Sequence, residues 1–224
     1  MSSEIFTAQS ASTTDSRADN RVLANTYRLL AMTLVFSGVV AAGSAALALP
    51  HPGLLLTLGG YFGLLFLTSY LRNSAWGLVS VFALTGFMGY TLGPILNAYL
   101  SLANGASLVA TAAVATGVAF VGLSAYARSK QAPDMMRFGS FLMVGILVAF
   151  VLALAAIFFS LPALSLAVSG VFVLLMSGLI MWETQNIVRG GETNYIMATV
   201  TLFVAIYNLF ASLLHLLGFA AGNE

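Results

Sequence analysis

Hydrophobic positions in this chain come in long runs, and the polar positions fall between them in short clusters. No Asp, Glu, Lys or Arg stands between Leu29 and Leu71, between Asn73 and Ala127, or between Phe138 and Trp182. Each run exceeds the roughly 20 apolar residues that one membrane helix needs, and each is broken internally. Pro50-His51-Pro52 cuts the first, because proline lacks a backbone donor and disfavours helix in the residue before it. Gly93-Pro94, Asn97 and Asn104-Gly105 cut the second, and Ser160-Leu161-Pro162 cuts the third. A last run follows Gly190-Gly191. The pattern predicts an all-α integral membrane protein with spans near 29–49, 53–71, 75–96, 106–126, 138–159, 163–182 and 195–219. These form one membrane domain over 29–219. The polar residues 1–28 read as a disordered cytoplasmic tail, and 220–224 as a short end.

The final run carries a polar seam. Asn194, Thr201, Asn208 and His215 recur every seven residues, with Ala198, Ala205 and Ser212 between them. On a helix this spacing makes one stripe. A small and polar stripe cannot favourably face lipid, so it must face other helices or water. The last helix is therefore expected at the centre of the bundle. Two glycine patterns bear on packing elsewhere. Gly59 and Gly63 make a GxxxG in the second span, and Gly86, Gly89 and Gly93 thin one side of the third. The Gly93-Pro94 pair is expected to kink or end that third span.

Composition agrees with the pattern. Hydrophobic residues make up 60% of the chain and charged residues 7%, far below the roughly 25% of soluble domains. The mean hydropathy is +0.98. Cysteine is absent, which excludes disulfides, thiolate metal sites and cysteine nucleophiles. The placement of charge adds topology. Arg17, Arg21 and Arg28 precede the first span, and Arg72 follows the second. Arg128, Lys130 and Arg137 follow the fourth, and Arg189 follows the sixth. All the strong bases thus fall on one side of a seven-span chain, which the positive-inside rule makes cytoplasmic. The N-terminus is expected inside and the C-terminus outside.

Chemistry is sparse. His51 and His215 are not spaced as a metal pair, and no HExxH, Walker A or GxGxxG is present. No catalytic residue, cofactor or metal site is expected, and no basic patch suggests nucleic acid. His51 reads as a solvated loop residue. Glu183 is the one acid embedded in an apolar run, and a lone carboxylate there calls for a base or for water. Arg72 is the candidate base, so Glu183 and Arg72 are the candidate ion- or pH-sensing residues.

The stretch Trp182-Glu183-Thr184-Gln185-Asn186-Ile187, followed by Gly190-Gly191-Glu192-Thr193-Asn194-Tyr195-Ile196, closely resembles the Bax inhibitor-1 (transmembrane Bax inhibitor motif) family. It is most similar to the bacterial YccA-like branch, described as modulators of the membrane protease FtsH. Phe87-Met88-Gly89-Tyr90-Thr91-Leu92-Gly93-Pro94-Ile95-Leu96 and Gly122-Leu123-Ser124-Ala125-Tyr126 extend the resemblance over nearly all the chain after the tail. The resemblance implies seven helices with the last surrounded by the other six. It implies two activities: binding and modulating a membrane-bound AAA protease of FtsH type in the bacterial inner membrane, or a pH-influenced calcium or cation leak gated by two acids. Glu183 matches the first acid position. The second corresponds to Ala205, which has no carboxylate, so a coupled acid pair is not expected. Membrane lipids and an FtsH-type protease complex are the expected partners, with calcium or protons under the second activity.

Overall fold

The computed structural model describes residues 2–222, with side chains from residue 21 onward. Seven helices long and apolar enough to cross a membrane follow one another. They are α1 (Ser2–Ala46), α2 (Leu54–Leu71), α3 (Trp76–Leu100), α4 (Gly105–Ala127), α5 (Gly139–Phe158), α6 (Pro162–Val188) and α7 (Tyr195–Ala221). A 3₁₀ turn, Met135–Phe138, leads into α5. Among the described residues there is no strand. The apolar stretch of α1 that can cross a membrane is Arg21–Ala46. The polar residues read as a tail share its element, because the helix backbone runs from Ser2. Extending a formed helix adds one hydrogen bond per residue fixed, without a new nucleation cost. The side chains of residues 2–20, and residues 1, 223 and 224 entirely, lie outside the described residues.

The breaks act as turn chemistry. Between α1 and α2 the backbone reverses on Ala48 and Gly53, both with positive φ. His51 accepts the Gly53 N–H through Nδ1 at 3.0 Å, and Tyr90 of α3 donates its hydroxyl to Pro50 O at 2.9 Å. Pro162 occupies the first turn of α6, where its missing N–H costs nothing.

Pro94 does not end its helix. α3 continues through it to Leu100. Proline cannot supply the N–H that the Tyr90 carbonyl would normally accept four residues back. Ser44 of α1 supplies the donor instead, from Oγ to Tyr90 O at 3.0 Å. Gly93 makes this approach possible, because a Cβ there would collide with the Ser44 side chain. Gly89 likewise lies against Ser37, and Gly86 against Phe36. The thin side of α3 is therefore the seat of α1. The GxxxG of α2 is not used this way. A Cβ at Gly59 or Gly63 would meet nothing within 4 Å, and the close contact of α2 is Gly60 on Phe87 of α3.

α7 packs directly against α1, α3, α4 and α6. Ala198, Leu202, Phe203, Ala205, Leu209 and Leu214 on it are fully buried or nearly so. α2 packs on α3, and α5 packs on α6. These two outer helices face α7 across a cavity of about 920 Å³, lined also by residues of α3 and α6. The last helix is thus central, with four neighbours touching it and two standing off.

Candidate functional site

The turn from α6 into α7 is built by its sequence, residue by residue. Gly190 has φ 71°, the left-handed conformation that ends helices and favours glycine. Its N–H donates to Ile187 O at 3.1 Å, and the Gly191 N–H donates to Asn186 O at 2.9 Å, the paired pattern of a Schellman stop. A Cβ on Gly191 would strike Asn186 Oδ1. Glu192 then accepts the Asn194 N–H at 2.7 Å. Asn194 Oδ1 caps α7 by accepting from Ile196 N at 3.0 Å and Met197 N at 3.1 Å. The Asn194 amide also donates to Arg72 O at 3.1 Å and Asn73 Oδ1 at 2.9 Å. One short motif therefore stops α6, starts α7 and ties both to the α2–α3 turn.

The rest of the seam divides by task. His215 Nδ1 lies 2.8 Å from Ser169 Oγ of α6. Ser169 Oγ also lies 3.0 Å from Ser165 O, to which it can donate, so His215 links α7 to α6 through the serine hydroxyl. Thr201 and Asn208 line the cavity, and Asn208 Nδ2 donates to Val204 O at 2.8 Å. Ala198, Ala205 and Ser212 are buried against neighbouring helices.

Glu183 sits inside the last turns of α6 and is 2% exposed. Its Oε1 has no hydrogen-bond partner, and neither do Thr184 Oγ1 and Trp182 Nε1 beside it. The expected pairing with Arg72 is not formed. Among the described residues the ion pairs are Arg189–Asp134 and Arg137–Asp134. Arg72 ends α2 and offers its backbone oxygen to Asn194, while Glu183 looks into the bundle from α6. Asn186 donates a side-chain hydrogen bond to Glu183 and the Glu192 carboxylate acts on it, while no ion pair to it is formed among the described residues.

Gln185, two residues on, is a site residue that sequence reasoning passed over. Its Oε1 accepts the Met135 N–H at 2.9 Å, and its Nε2 donates to Pro133 O at 2.9 Å and Ala127 O at 3.3 Å. It pins the charged α4–α5 loop onto α6. Asp134 of that loop bonds Arg189 just beyond α6. This hydrogen bond, opposed by desolvation, holds the Asp134 carboxyl below its usual range. The one sequence signal for Gln185 was its place within the family-like stretch.

The comparison with known proteins agrees with this architecture. A family model described as "Inhibitor of apoptosis-promoting Bax1" matches residues 19–222. The chain belongs to the Bax inhibitor family. A relative from Escherichia coli K12, named modulator of FtsH protease YccA, is 52% identical over 202 residues, covering 90% of this chain and 91% of that protein. A second E. coli relative of the same identity is named inner membrane protein YccA. An uncharacterized protein of Pseudomonas aeruginosa is 51% identical over 210 residues, covering 94% of each chain. Within this Bax inhibitor protein the GGETN stretch is explained by helix stopping and capping, while Glu183 is the buried acid with an unmet oxygen.

Proposed function

We propose that this chain binds and modulates a membrane-bound AAA protease of FtsH type, as a multi-pass protein of the bacterial inner membrane. The observation that carries the reading is the 52% identity, over 90% of the chain, to the relative named modulator of FtsH protease. A fixed basic loop supports the reading. Arg128, Lys130 and Arg137 lie on or beside a loop that Gln185 fixes to the end of α6. A loop held in place can offer its charges to a partner at low ordering cost. The proposed orientation puts this basic end in the cytoplasm, together with residues 1–28 as the segment an ATP-driven protease engages. A periplasm-active reporter fused at Glu224 should then be active, and a cytoplasm-active one silent. The direct test is affinity capture from native membranes through a tag at the C-terminus. Recovery of an FtsH-type protease at a reproducible ratio supports the reading, and its absence under crosslinking opposes it.

The second reading is a pH-influenced calcium or cation leak. The buried Glu183 with an unpartnered oxygen favours it. Ala205, fully buried and without a carboxylate, opposes it, since a coupled pair needs two acids. Calcium flux into proteoliposomes over about pH 6 to 8, a window around where a raised carboxylate pKa titrates, decides between them. Strong pH-gated flux in the unmodified protein would put the leak first.

A further inference from the structure

We propose that the cavity between α2, α5 and α7 binds a neutral single-chain amphiphile from the bilayer, with its hydroxyl or carbonyl head on α7 and its chain running towards the α2–α3 turn. The volume, about 920 Å³, lies within the roughly 300–1,000 Å³ of small-molecule sites. Its length suits a chain. It extends along α2 from Thr57 to Ser69, which at 1.5 Å per residue is roughly 18 Å.

The walls show what enters and from where. Phe62, Phe66, Met143 and Leu147 line the cavity and are also exposed on the outer faces of α2 and α5. The mouth between these helices therefore opens sideways to lipid. Across it stands one edge-to-face ring pair, Phe62 on Phe150, with centroids 5.8 Å apart. α2 is otherwise attached through α3.

Tyr61, Thr91, Thr201, Tyr207 and Asn208 give the cavity wall polar groups, and Thr57 and Ser69 stand at its two ends on α2. Thr91 and Tyr207 hydroxyls meet each other at 3.4 Å. The hydroxyls of Tyr61 and Thr201 have no protein hydrogen bond among the described residues, and Asn208 keeps its carbonyl oxygen and one N–H free. A hydrocarbon chain alone would leave these donors and acceptors unmet in a dry site, at a cost. Among the described residues no Lys, Arg, His, Asp or Glu lines the cavity, so an anionic or cationic head would be buried there without a counter-charge. A neutral oxygen head satisfies both conditions. Leu65, Met176, Leu179, Met197 and Val200, towards the α2–α3 turn, supply apolar surface for the chain.

The test uses the full protein in phosphatidylethanolamine/phosphatidylglycerol nanodiscs, titrated with monoolein and read by native mass spectrometry after release. One retained monoolein per chain is expected, with oleate held at least about tenfold more weakly for want of a counter-charge. Thr201→Val with Asn208→Leu should weaken monoolein about tenfold through lost hydrogen bonds. Val204→Trp, which fills the cavity, should abolish retention. Val118→Trp, on the exposed face of α4, should leave it unchanged. Leu147→Trp blocks the mouth from another helix and replaces Val204→Trp if that variant fails to insert. Absence of bound monoolein, equal binding of oleate, retention in both blocked variants, or phosphatidylethanolamine held in its place would each overturn the proposal.

Discussion

Glu183 is where single-residue chemistry and the fold disagree most openly. A buried carboxylate without a base normally gains a donor or loses its charge, yet Oε1 here has no partner and Arg72 forms no ion pair with Glu183. Glu183→Gln keeps the shape and removes the charge. With no pair to break, unfolding stability in detergent should change by no more than about 1 kcal/mol. A loss of about 3–5 kcal/mol, the cost of orphaning a buried partner, would show that a base does reach Glu183. The importance of Glu183 was legible from its isolation in an apolar run. Its lack of a base was not, because which side chain faces which across helices is set by packing and not by spacing along the chain. Gln185 was missed for the same reason, since its three bonds reach residues of another loop.

Helices and turns were more legible, because charge-free length and proline punctuation are local properties. The expected spans lie within the seven helices to within a few residues, although α1 begins its apolar stretch at Arg21, α3 runs on to Leu100 and α6 to Val188. Pro94, expected to kink or end α3, is an interior residue, and Ser44 donates to the carbonyl that proline leaves free. Ser44→Ala should therefore destabilise the bundle by about 1–3 kcal/mol, the cost of an unmet buried group. In a Pro94→Ala background, where the helix supplies its own N–H, the same change should cost clearly less. Equal losses in both backgrounds, measured by thermal unfolding, would disprove the repair. The α4–α5 loop responds to acid instead. Arg189 holds the Asp134 carboxyl below its ordinary 3.8, so its contribution is complete above that pH and is lost as pH falls through the lower folded value. Hydrogen exchange at residues 128–137 should quicken in that acid range, and Asp134→Asn should show the fast exchange already at neutral pH.

At the scale of the whole molecule, the seam on α7 foretold a central helix but not how unevenly it is surrounded. Small residues seat α1, α3, α4 and α6 closely, whereas Thr201 and Asn208 face open space beneath α2 and α5. A periodic stripe shows which side of a helix avoids lipid, and cannot show whether protein or a cavity meets it. The basic end, fixed by Gln185 and Asp134, is the surface we propose for a protease contact. The decisive measurement is degradation of a membrane substrate by purified FtsH-type protease in proteoliposomes, with this protein added at increasing molar ratio. A rate that changes and then saturates as the ratio rises, and that stays constant with an unrelated seven-helix protein, is the expected result. A rate indifferent to the protein even at several-fold excess would contradict the proposal that it modulates the protease.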